Sequence, residues 1–130
     1  MTQNSKKQKQ TVIPIPLNNK RDFFSLYLEL LKDFPPLNKL RPAERTYVSL
    51  IMWYKDKYRN LDPDIRDELI FSMSNRKKIN KELGILDTTA YNVLKNIRKK
   101  KVIIGTELIS NLNINIEDAH QLIFNFKINK

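Results

Sequence analysis

Residues 74–103 read SNRKKINKELGILDTTAYNVLKNIRKKKVI, and this stretch decides the fold. Ser74 predicts a helix start, because its hydroxyl can accept a hydrogen bond from one of the first, otherwise unpaired, backbone N–H groups. Ile79 and Leu83 are four residues apart and share one helix face. Gly84 follows, where the end of a helix favours a left-handed residue. Ile85 plugs the turn. A second helix is expected over residues 88–100, with Ala90, Val93, Leu94 and Ile97 inward. Leu83, Leu94 and Ile97 are expected to be buried together. Thr88, Tyr91, Asn92, Lys95, Asn96 and Lys99 fall on the outward side. The pattern is two short helices joined by a tight turn, the second presenting polar and basic groups.

These residues resemble the winged helix-turn-helix family. The resemblance rests on Ile79-x-x-x-Leu83-Gly84-Ile85, on Thr89-Ala90-Tyr91, on Leu94-x-x-Ile97 and on the closing Lys99-Lys100-Lys101-Val102-Ile103. It is dense over about 30 residues and extends loosely over residues 42–128. It implies an α+β fold, a three-helix core with a small antiparallel sheet. It also implies that the second motif helix enters the DNA major groove and that the sheet hairpin, the wing, lies on the backbone. Three positions depart from the family. Leu86 stands where a capping serine is usual, so Asp87 is expected to cap one residue later. Asn80 stands where a small apolar residue is usual. The wing region carries Glu107, Glu117 and Asp118, whereas a wing that grips phosphate would carry Lys or Arg.

The charge is focused in the same place. The 130 residues carry 24 Lys and Arg against 14 Asp and Glu, a net charge of +10. Residues 1–20 hold four lysines and no acid, and residues 21–73 hold nine groups of each sign. Residues 74–101 hold nine basic groups against Glu82 and Asp87, and residues 102–130 hold two against three acids. The excess therefore sits in one arm and one central block. Such focusing favours a polyanion, because each neutralised phosphate releases condensed counterions.

Outward from the block, residues 1–20 form an extended basic arm. Lys6, Lys7 and Lys9 precede Val12-Ile13-Pro14-Ile15-Pro16-Leu17, and the prolines favour an extended segment over a helix. Ile13, Ile15 and Leu17 are its candidate partner-binding residues. Residues 21–36 give an extra amino-terminal helix, with Phe23, Phe24, Tyr27, Leu30, Leu31 and Phe34 at helical spacing and Pro35-Pro36 as the stop. Residues 40–130 give the winged-helix domain. It opens with a helix started by Pro42, with Glu44 near its amino end and Tyr47, Leu50, Ile51, Tyr54 and Tyr58 on one face. Trp53 lies beside that stripe, which is read as core. Asp62, Asp64, Asp67 and Glu68 are read as acids at a short helical start, not as metal ligands. Residues 69–73 are read as a short strand. After Gly105 the period becomes two. Leu112, Ile114 and Ile116 predict one strand, and Leu122, Phe124, Phe126 and Ile128 a second, turning at residues 117–120. His120 falls in that turn as a surface residue.

Composition excludes several functions. There is no cysteine, His120 is the one histidine, and Gly84 and Gly105 are too few for a glycine-rich phosphate loop. No apolar run approaches the ~20 residues that span a bilayer. The chain is expected to be soluble and cytoplasmic. It is expected to have no enzyme activity, cofactor, metal, membrane or small-molecule substrate. The leading expectation is binding of double-stranded DNA by a small phage or mobile-element regulator or replication accessory. Asn92 and Asn96 would reach adenine edges. Arg76, Lys77, Lys78, Lys95, Arg98, Lys99 and Lys100 would hold phosphates, with Thr88 and Tyr91 beside them. The alternative is a structural component of an oligomeric assembly, such as a phage virion protein, whose arm reaches across neighbours. Self-association, as a dimer or larger ring, is expected under both.

Overall fold

The computed structural model describes residues 11–112, 114, 121 and 123–129. It is mainly helical, with five α-helices and one two-stranded antiparallel sheet among the described residues. The helices are α1 (Lys20–Leu30), α2 (Pro42–Lys57), α3 (Pro63–Ile70), α4 (Met73–Leu83) and α5 (Asp87–Lys99). The strands are β1 (Ile103–Ile104) and β2 (Glu107–Leu108). Single 3-10 turns lie at Leu37–Lys39 and Ser110–Leu112.

Helix α2 is the axis of the molecule. Pro42 starts it, and Glu44 accepts a hydrogen bond from the Arg41 N–H at 2.9 Å. It buries Tyr47, Val48, Leu50, Ile51, Met52 and Tyr54. One cluster of buried apolar side chains joins it to Phe24 and Leu28 of α1, Ile79 of α4, Leu94 and Ile97 of α5, and Leu108 and Leu112 beyond. The Tyr27 hydroxyl donates to the Asn111 carbonyl at 3.2 Å, tying α1 to the last turn. Helix α1 is capped by the Asn19 side chain, which accepts from Asp22 N–H. It ends at Leu30, before the expected Phe34, which is exposed and stacks on Phe124 instead.

Residues 69–73 are not a strand. Asp62 caps α3, which runs through Ile70, and Ser72, not Ser74, caps α4 by accepting from Asn75 N–H at 3.3 Å. The Asn75 amide in turn donates to the Ile70 carbonyl at 2.8 Å, so the end of α3 is satisfied by a side chain of α4. A short apolar run fits a strand or a helix junction equally well by periodicity, and here capping decides it.

The α4–α5 turn follows the expectation, except that Leu83 is half-buried against the core that encloses Leu94 and Ile97. Gly84 has φ +66°, its N–H bonds the Lys81 carbonyl, and the Ile85 N–H bonds the Asn80 carbonyl. This pair of bonds closes the end of α4 with a left-handed residue. Helix α5 begins one residue earlier than expected. Leu86 precedes it without a side-chain cap, and Asp87 is its first residue rather than its cap. The Asp87 carboxylate accepts instead from the Asn80 amide at 2.9 Å. The same closure recurs after α5, where Lys101 N–H bonds Arg98 and Val102 N–H bonds Ile97. There the left-handed residue is Lys101, at φ 61°.

The hairpin pairs Ile103 with Leu108 and Ile104 with Glu107. Gly105 opens its two-residue loop at φ +66°. Positive φ at the first loop residue suits the twist of adjoining strands. Two ion pairs fix α5 and α3 on α2, and a hydrogen bond from one of their cations holds the hairpin. Lys100 pairs with buried Glu44 at the start of α2. Near its end, buried Lys55 donates to Asp67 at 2.8 Å and to the Thr106 carbonyl at 3.0 Å. Arg66 also donates to Asp67, at 2.9 Å.

The sheet is smaller than expected and lies elsewhere. Leu112 is buried in a 3-10 turn, not in a strand. Residues 123–129 have no regular structure and are exposed, Phe126 and Ile128 included. An alternating segment becomes a strand only when a neighbour supplies its ladder, and no described residue does so. The expected turn at residues 117–120, with His120, and positions Ile116 and Leu122 lie outside the described residues. Among the described residues no helix is long and apolar enough to cross a membrane.

Candidate nucleic-acid interface

Helix α5 sets out its polar side chains by simple periodicity. Ala90, Leu94 and Ile97 are buried, so Tyr91, Lys95 and Lys99 form an outward row at every fourth position. Arg76 faces that row from α4. Arg76, Tyr91, Lys95, Arg98 and Lys99 line one open concavity of about 390 Å³, floored by Leu94. A smaller hollow of about 100 Å³ adjoins it, sharing Arg76 and Tyr91 and adding Met73, Lys77 and Asp87.

The charges on this face are unneutralised. Among the described residues, none of Arg76, Lys77, Lys78, Lys95 and Lys99 has a carboxylate within 4.0 Å, whereas Lys20, Arg21, Lys55, Arg59 and Arg66 all do. Arg98 is held in place rather than free. Its Nε donates to the Gly105 carbonyl at 3.1 Å, and its guanidinium lies 5.6 Å over the Phe71 ring. The cluster also reaches inward. Burial pushes the Tyr47 hydroxyl above its ordinary value, and the charges of Arg76 and Arg98 partly oppose that. The acid on this face is Asp87, tied by Asn80 at the start of α5.

Not every expected residue joins the face. Thr88 and Asn92 are exposed on α5, Lys77 and Lys78 are exposed on α4, and Asn96 is half-buried. Lys100 does not belong to it. Its ammonium turns to α2 and is consumed by Glu44, which sits inside the protein with a full charge to balance. The hairpin offers little to a phosphate. Its outward residues are Ile104 and Glu107, while Glu117 and Asp118 lie outside the described residues. Ile13, Ile15 and Leu17 are extended and exposed in the arm.

Sequence reasoning missed three features here. Lys101 is exposed just beyond the end of α5 in a left-handed conformation that no neighbouring glycine announced. Phe71 supports Arg98, and Asn80 restrains Asp87, through contacts between residues distant in sequence or hidden by an unexpected residue type. Among the described residues no group of three or more His, Asp or Glu side chains converges on a metal position. No family model, curated protein or solved structure matches the chain.

Proposed function

We propose that this chain is a non-enzymatic winged-helix protein that binds double-stranded DNA, as a regulator or replication accessory. In this reading α2, α4 and α5 are the three core helices, and the β1–β2 hairpin is a reduced wing. One observation carries it: among the described residues Arg76, Lys77, Lys78, Lys95 and Lys99 gather on α4 and α5 with no carboxylate within 4.0 Å, whereas most cations of α1, α2 and α3 are paired. Surplus cations on one face repel one another unless a polyanion meets them. Helix α5, with 13 residues, is about 20 Å long and fits a major groove about 12 Å wide. Arg76, Lys95 and Lys99 then hold phosphates, and exposed Asn92 and Tyr91 face base edges. The acidic hairpin leaves most of the grip to the helices.

The test is a fluorescence-anisotropy titration of a mixed-sequence duplex at several salt concentrations. Binding should weaken linearly on a log–log salt plot. Binding with no salt dependence, or no binding at low salt, refutes the reading. A second reading, a structural component of an assembly, is favoured by a separate observation. The apolar side chains of the arm and of residues 123–128 stand in solvent.

A further inference from the structure

Helix α3 is amphipathic in the inverted sense. It buries Asp67 and Ile70 and turns Ile65 and Leu69 outward. The cause is local. Lys55 lies inside the protein, and Asp67 must face it to balance its charge, so the polar side of α3 points to the core. With Leu61 before the helix and Met73 after it, apolar side chains recur at every fourth position. Their exposures are 40% for Leu61, 58% for Ile65, 39% for Leu69 and 71% for Met73. Asp62, Asp64 and Glu68 are exposed around them. The face is apolar and acidic on a chain of net charge +10.

The amino-terminal arm has the complementary character. Its sequence carries Lys6, Lys7 and Lys9 with no acid. Val12, Ile13, Ile15 and Leu17 follow, extended and exposed. Alternate residues of an extended segment stand about 6.5 Å apart, and residues four apart on a helix rise by about 6 Å. Consecutive pairs among Ile13, Ile15 and Leu17 therefore match the spacing of Ile65 and Leu69 on α3. Among the described residues neither surface is covered.

We propose that the apolar and acidic face of α3 receives the amino-terminal arm of a second copy of this chain. The arm's alternate apolar side chains lie on Ile65 and Leu69, and the net positive charge of its sequence is drawn to a face bordered by Asp64 and Glu68. This contact does not depend on DNA binding by α5, and its test contains no DNA.

The chain has no cysteine, so single cysteines report the contact in the full-length protein. An Ile15→Cys chain is mixed with a Leu69→Cys chain under mild oxidation. Both positions are exposed, so the fold tolerates them. A covalent dimer should form at least about tenfold faster than when Ile15→Cys is mixed with Asn38→Cys, because docking raises the effective concentration of the pair. Asn38 is exposed at the other end of α2. Adding Asp64→Lys and Glu68→Lys to the Leu69→Cys chain should bring the rate down to the control. Sedimentation of the unmodified chain should show association that Leu69→Lys abolishes. Equal rates for the two mixtures overturn the proposal. So does a doubly substituted Ile15→Cys, Leu69→Cys chain that closes on itself without forming dimers, since the arm then folds onto its own α3.

Discussion

Lys95, Lys99 and Lys100 lie within six residues on one basic helix end, and the structure gives them different surroundings. Lys95 and Lys99 are exposed on the outward row of α5 without acidic partners. Lys100 is paired with Glu44, which is 2% exposed. Replacing Lys95 and Lys99 by Ala should remove two phosphate contacts and flatten the log–log salt slope of DNA binding by about 1.8. Between about 50 and about 200 mM salt, each contact makes affinity fall about 3.5-fold, so the double variant should lose about 12-fold of the wild-type salt sensitivity. Its folding stability should change by less than about 0.5 kcal/mol, as for other exposed surface changes. Lys100→Ala should do the reverse. It leaves the Glu44 carboxylate inside the protein with the Arg41 N–H but no counter-charge. Breaking a buried pair from one side costs about 3–5 kcal/mol, and the 25% exposure of the Lys100 side chain places the cost near about 3 kcal/mol. Its salt slope should stay at the wild-type value. Anisotropy titrations give the slopes, and urea melts followed by circular dichroism give the stabilities. The reasoning fails if Lys100→Ala flattens the slope as much as the double variant, or if the double variant keeps the wild-type slope.

Leu94 is buried between α4, α5 and α2, and Leu94→Ala should cost about 2–5 kcal/mol in a denaturant melt; a loss below about 1 kcal/mol would contradict this packing. Lys101→Gly should raise stability by about 1 kcal/mol, since a left-handed lysine is replaced by a residue without that cost, and an unchanged melting midpoint would show that the lysine side chain compensates. Burial by itself would raise the Asp67 carboxyl, but hydrogen bonds from Arg66 and Lys55 and their charges outweigh it, holding the group below its ordinary 3.8. Its stabilisation is therefore complete above about pH 3.8 and is lost as pH falls through the lower folded value. Asp67→Asn should cost about 3 kcal/mol at neutral pH and flatten the acid limb of the stability curve, and melts across that range that leave the limb unchanged would refute the assignment.

What the sequence determined by itself is the part governed by neighbours along the chain. Gly84 after Leu83 ends α4 because a left-handed residue without a Cβ is needed there, and the spacing of Ala90, Leu94 and Ile97 orients α5 because side chains four apart share a helix face. Pro42 and Glu44 start α2 for equally local reasons. The outward row of Tyr91, Lys95 and Lys99 followed from the same periodicity. Tertiary structure decided what depends on distant partners. Residues 69–73 became a helix junction because Asn75 reaches the Ile70 carbonyl and Ser72 caps α4. The alternation after Leu112 gave no described strand, since strand formation depends on a ladder partner that alternation cannot specify. Lys100 left the basic face because Glu44, 56 residues away, needed a counter-charge inside the protein. Asp67 turned inward, and exposed the apolar side of α3, because Lys55 was already there. A charge pattern along a chain records how many cations there are; which of them remain free is set by the buried carboxylates that claim the others.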